Sequence, residues 1–130
     1  MIRKANRLIK PGDSIFQTRL IILILLALLT VACNQDKRTN RLLLTEQLHD
    51  YYDNEDYFKL KNTLEENKHL LRKKYRIYFS ALKENAFYQH EASNASISKL
   101  LNRFEKRLSE TELRNVHKTM YMNHHNLYNY

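Results

Sequence analysis

Three of the six histidines, His117, His124 and His125, fall in one short stretch, and they are the first residues to consider as metal ligands. Two imidazoles on a helix share an ion when they stand three or four residues apart. The separations here are seven and one, a poor geometry for a shared ion, so no metal site is expected. Asp53, Glu55 and Asp56 have the density of a calcium loop, but they lack the glycine of its sharp turn and its distal bidentate glutamate. Three acids within four residues suit the positive end of a helix better. No serine, cysteine or histidine falls into a nucleophile–base–orienter pattern. No catalytic residue, cofactor or small-molecule substrate is therefore expected.

Glycine usage narrows the chemistry further. The 130 residues include one glycine, Gly12, next to the one proline, Pro11. Phosphate-cradling loops, dinucleotide fingerprints, tight hairpin turns and the Asp-Thr/Ser-Gly turn of aspartic proteases all need glycine, because their backbones visit positive φ or approach a ligand closely. Gly12 matches none of them. One cysteine, Cys33, makes neither an intramolecular disulfide nor a multi-cysteine zinc site. A sandwich or barrel with so little turn punctuation is equally excluded, which leaves an all-α chain.

Two further groups have binding potential. Lys68-His69 and Arg72-Lys73-Lys74-Tyr75-Arg76 form the densest basic run, able to touch phosphates or an anionic membrane surface. Charges near the end of one helix and on the exposed face of the next explain the run without a ligand. Among the nine tyrosines, Tyr57, Tyr75 and Tyr78 lie at helical spacing and read as core residues with a wet hydroxyl. Tyr121, Tyr128 and Tyr130 read as exposed and form the candidate edge for a protein partner.

The net charge of +8 is less informative than it looks. Arg3, Lys4, Arg7, Lys10 and Arg19 precede an uncharged apolar run at residues 20–31. A spanning helix wants about 20 apolar residues, and a run of about a dozen fits the hydrophobic region of an export signal. Without residues 1–32 the chain keeps 17 Lys and Arg against 13 Asp and Glu, a net +4. A nucleic-acid partner is not expected on that balance.

Leu29-Thr30-Val31-Ala32-Cys33 resembles the lipobox of bacterial lipoproteins, with Thr30 standing where leucine is usual. The resemblance implies cleavage between Ala32 and Cys33, a diacylglyceryl group on Cys33 and an N-acyl chain. More than one acyl chain gives stable anchoring, and the expected location is the cell envelope, at the outer membrane or cell surface. That divides the chain into a signal at 1–32, a polar tether at 33–40 and a helical domain at 41–130. The Asn94-Ala95-Ser96 glycosylation pattern carries little weight behind a bacterial-type signal.

The helical domain reads as about five helices with short turns, hence antiparallel neighbours. Leu44, Leu48, Tyr51 and Tyr52 mark the first. Tyr57, Leu60, Leu64 and Leu71 mark the second, with Asp53 or Asn54 as N-cap. Tyr75, Tyr78, Phe79, Leu82 and Ala86 mark the third. Ser93-Asn94 is read as opening a fourth with Ile97, Leu100, Leu101, Phe104 and Leu108 on its apolar face. Ser109-Glu110-Thr111-Glu112 is a capping box for a fifth, whose stripe is Leu113, Val116, Met120, Leu127 and Tyr128. Tyr75 and Leu113 lie 38 residues apart, near the period of a tetratricopeptide-like helix-pair stack, although the glycine and closing proline of that repeat are missing.

Asp56-Tyr57-Phe58-Lys59-Leu60-Lys61, Tyr78-Phe79-Ser80-Ala81-Leu82-Lys83-Glu84-Asn85-Ala86-Phe87, and Glu91-Ala92-Ser93 on to Leu100-Leu101 resemble a known region. It is the N-terminal helical part of bacterial lipoproteins that end in a retropepsin-like aspartyl protease domain. The likeness covers roughly residues 45–130. It implies either a stand-alone interaction module or the leading part of a protease, and it carries over no catalytic residue, because no Asp-Thr/Ser-Gly triplet is present. A solenoid's last helix normally shows a polar outer face. The apolar stripe of the fifth helix therefore favours the truncated form.

Overall fold

The computed structural model describes residues 11–129. Among them are five α-helices and two short 3-10 turns, with no strand. The chain divides into two compact units, Met1–Asn40 and Arg41–Tyr130.

Helix α1 is Pro11–Asp53, and no glycine or proline follows Gly12 to break it. Residues 12–40 are exposed throughout, including every leucine and isoleucine of residues 20–31. Residues 20–31 are too few on their own to span a bilayer. The helix continues in both directions with few charges, and it is long and apolar enough to cross a membrane. An export signal near an N-terminus meets the same description. Residues 33–40, read from their polarity as a tether, continue the helix with every residue exposed.

The second unit takes the last turns of α1 and adds α2 (Tyr57–Asn67), α3 (Lys73–Ala86), α4 (His90–Phe104) and α5 (Glu110–Tyr128). Helix α3 packs against α2, α4 and α5, and α4 also packs against α5. The core draws on each helix: Leu44 and Leu48, Leu60 and Leu64, Phe79 and Leu82, Ile97 and Leu100, and Val116. Burying each such side chain contributes about 2 kcal/mol.

The connections repeat. Glu55 and Tyr88 both follow a helix end at positive φ, 59° and 61°. Both turns close with the same bonds: the Glu55 and Tyr88 amides donate to Tyr52 and Asn85, and the Asp56 and Gln89 amides to Tyr51 and Glu84. A 3-10 turn then ends each of α2 and α4, at Lys68–Leu70 and Glu105–Arg107. Each is followed by an extended pair, Leu71-Arg72 or Leu108-Ser109. The first connection recurs after 33 residues and the second after 37. The difference is one helical turn, by which α4 at 15 residues exceeds α2 at 11. Tyr75 is thus matched with Glu112, not Leu113, and the spacing of 38 read from the sequence is one residue too long.

Several boundaries differ from those expected. Neither Asp53 nor Asn54 caps α2. The N-cap is Asp56, without a side-chain bond to the helix amides, because the turn needs the residues before it to close α1. Helix α4 begins at His90, three residues before Ser93, and Ser93 is buried inside it with its hydroxyl donating to the Ala81 carbonyl at 2.8 Å. The Ser109–Glu112 capping box is present as expected.

The largest difference lies on α5. Its buried residues are Glu112, Val116, Thr119 and Asn123, so of the expected stripe only Val116 is buried. Leu113 is half-buried, while Met120, Leu127 and Tyr128 are exposed. Hydrogen bonding explains the rotation. Asn123 is 0 % exposed; its Oδ1 accepts from Asn85 Nδ2 at 2.8 Å and lies 3.0 Å from His90 Nδ1. Its Nδ2 donates to Ser93 Oγ and Asn94 Oδ1, both at 2.9 Å. One amide thus meets partners on α3 and α4 with its hydrogen-bonding capacity filled. An apolar residue there would strand several of those groups. Asn123→Leu is expected to lower unfolding stability by about 3 kcal/mol, read as a lower urea midpoint, whereas a wild-type midpoint would show that the amide does not hold α5.

Candidate functional site

The candidate edge is the solvent side of α5. Tyr121 is 72 % exposed and Tyr128 71 %, with Met120, Met122 and Leu127 also exposed. Tyr130 lies outside the described residues. The aromatic rings do not stand alone: Tyr121 faces His125 with centroids 6.4 Å apart, and Tyr128 faces His124 at 4.7 Å. His124 and His125 therefore belong to an aromatic rim, and His117 is exposed on the same helix. Among the described residues no three His, Cys, Asp or Glu side chains converge as a metal site would require.

Sequence reasoning did not mark Tyr88 as a site residue. It sits at positive φ, where glycine is the usual residue, and is 83 % exposed, with its ring 6.0 Å from that of His90. A bulky residue in this conformation costs about 1 kcal/mol or more. Tyr88, His90 and Leu127 line an open groove of about 580 Å³ with Gln89, Glu91 and Ala92. The groove joins the α3–α4 turn to the last turns of α5. No local signal marks Tyr88, because a tyrosine gives no hint of a left-handed backbone. Only the missing glycine after Ala86 could have drawn attention to it.

The acids after α1 fall into the turn. Asp56 pairs with Lys59 at 2.7 Å, and that bond holds its carboxyl below the usual range. The basic run divides: Lys74 turns inward, while Lys68, Lys73 and Arg76 line a second groove, between α3 and α4. Cys33 is exposed on α1, directly after Ala32.

A buried polar cluster positions the edge from behind. Glu112, 5 % exposed, accepts the Ser109 amide at 2.9 Å and Lys74 Nζ at 3.2 Å. Lys74 also donates to the Arg107 carbonyl at 2.9 Å and lies over the Tyr75 ring. Asn115 donates to the Tyr78 hydroxyl at 3.0 Å, and burial pushes that phenol up, so it stays protonated. His49 stands edge-on to Phe79 at 4.9 Å, with Nε2 4.0 Å from Glu112. Among the described residues no buried side-chain nitrogen or oxygen lacks a partner. A cluster satisfied in this way fixes α1, α3 and α5 in register and has no free base or nucleophile aimed into a cavity.

Comparison of the chain with protein-family models, with characterised proteins and with solved structures gave no match.

His49 makes the cluster sensitive to acid. Burial lowers its imidazole below the ordinary value of about 6.5, against the opposing pull of Glu112, Asp53 and Asp50, with Lys74 reinforcing the drop. As pH falls through about 6.5 the unfolded chain takes up the proton before the folded one. Stability is therefore full above that value and is lost on acidification towards the lower folded-state value. The melting temperature should fall over this window, and His49→Gln should flatten the fall. An unchanged slope in the variant would remove His49 as the cause.

Proposed function

We propose that this chain is a lipid-anchored protein of the bacterial envelope whose unit Arg41–Tyr130 binds another protein through the edge of α5. The observation that carries the reading is the inversion of α5. Glu112, Thr119 and Asn123 are buried, and Tyr121, Tyr128, Met120 and Leu127 face solvent. Tyrosine and methionine are enriched at interfaces because they offer large contact areas, and contiguous exposed apolar surface marks interaction sites. The twice-used connections support a tetratricopeptide-like stack, an architecture that presents such edges to protein partners. The mechanism is positioning, with lipid on Cys33 fixing the module to a membrane and α5 holding the partner.

The bare face of α5 also suits the second reading, in which these helices lead a retropepsin-like protease domain and the partner surface is met within one polypeptide. Reading the coding sequence past Tyr130 for an in-frame Asp-Thr/Ser-Gly separates the two.

For the anchor, cells expressing the full chain and fed an alkyne-tagged fatty acid should incorporate it into a product that begins at Cys33. Cys33→Ser should abolish the label. An unlabelled wild-type product that retains residues 1–32 would overturn the lipoprotein reading. For the edge, a photo-crosslinking residue placed at Tyr121 should capture a discrete protein band in cells, and one placed at exposed Arg103 on α4 should not. Identical patterns from the two positions would refute an α5 edge.

A further inference from the structure

The groove between α3 and α4 is a second surface with a different chemistry. It is an open groove of about 380 Å³. Lys73, Arg76, Ser80 and Glu84 contribute one stripe of α3, Ser96 and Lys99 face it from α4, and Lys68 enters from the 3-10 turn. Four cations share this concave surface with one carboxylate. Among the described residues none of the four makes an ion pair. Four cations facing one carboxylate leave a net positive charge on this surface, and a bound anion relieves their mutual repulsion.

The charge is graded along the groove. Lys73 lies in the first turn of α3, and Glu84 lies eleven residues later, about 16 Å along the axis. The helix opens at Arg72 with no side-chain cap and no acid in its first turn, so its free amides add positive potential at the cationic end. Arg76 supplies a planar fork suited to phosphate oxygens, and Ser80 a hydroxyl. At the other end Glu84 is already oriented, accepting from Ser96 Oγ at 2.8 Å, with lone pairs left for a second donor. A bare anion would be repelled at Glu84. A ligand with an anionic head and a hydroxyl-bearing tail matches this gradient of charge.

We propose that this groove binds a phosphorylated polyol, with the phosphate held between Arg76 and Lys99, Lys68 and Lys73 adding positive potential from the outer end, and a polyol hydroxyl donating to Glu84. The ligand chemistry is that of glycerol phosphate, which occurs free and as the headgroup of phosphatidylglycerol. The site lies wholly within Arg41–Tyr130 and does not depend on the α5 edge or on lipid at Cys33.

The test uses the full chain in neutral detergent micelles, titrated calorimetrically with glycerol 3-phosphate and separately with inorganic phosphate. Saturable binding of glycerol 3-phosphate is expected, tighter than that of inorganic phosphate. Arg76→Gln with Lys99→Gln should weaken it by about tenfold or more, and Lys118→Gln, the same kind of charge loss on exposed α5, should leave it unchanged. Glu84→Gln should erase the preference for the polyol ester. All these positions are exposed or half-buried, and an unchanged melting temperature confirms that each variant is folded. Micelles doped with phosphatidylglycerol identify the source: competition with glycerol 3-phosphate assigns the site to a lipid headgroup, and undiminished binding assigns it to the free ester. Absence of saturable binding, or equal weakening by Lys118→Gln, overturns the proposal.

Discussion

The orientation of α5 depends on one buried amide. Asn123 has no exposure and four polar neighbours, on α3 and α4. A buried amide without partners costs far more than a well-bonded one gains, so the constraint is close to all-or-none. Rotating α5 to bury Met120 and Leu127 would take Asn123 away from Asn85 and Ser93, and would take Glu112 away from Lys74. The packing therefore settles on a polar seam with one valine in it, and Met120, Leu127 and Tyr128 are left to solvent.

A seam of this kind specifies more than an apolar one would. Leucine against leucine tolerates sliding and rotation, whereas an amide with donors and acceptors assigned on two helices fixes one register. Glu112 works similarly at the opposite end of α5. Its carboxylate closes the Ser109 capping box and also holds Lys74 of α3, so a local helix-start signal and a long-range contact share one group. The two anchors stand eleven residues apart on one face, with Val116 and Thr119 between them. The edge carrying Tyr121 and Tyr128 is thus held from behind at both ends.

The sequence made the helical class, the capping box of α5 and the apolar faces of α2 and α3 legible, because each is written in local spacing. Leu60 and Leu64, or Phe79 and Leu82, recur at helical intervals with no competing stripe. On α5 two stripes compete. Periodicity favours the one with more apolar residues, and the structure buries the other, because Asn85, Ser93 and Asn94 supply partners that no local pattern announces. Tyr88 was hidden for a related reason: its left-handed backbone follows from the turn between α3 and α4, not from its own preference. Ser93 was misread as a helix start because the groups that cap a helix also serve as buried donors, here to Ala81.

The start of α3 shows how a broken local rule can be traced to its cause. Lysines at the positive end of a helix are the wrong sign for its dipole, and Arg72, Lys73 and Lys74 stand there with no capping side chain. The matching start of α5 obeys the rule, with Ser109, Glu110 and Glu112. Part of the contrast is structural, since Lys74 is drawn inward by the very Glu112 that caps α5, and its cost is offset there. Arg72 and Lys73 have no such compensation, and Lys73 opens onto the groove with Lys68, Arg76 and Lys99. Local rules tend to fail at strained or functional sites. A like-charged cluster at an uncapped helix start, set in a concave surface with a carboxylate at its far end, has the arrangement that an anionic ligand would stabilise.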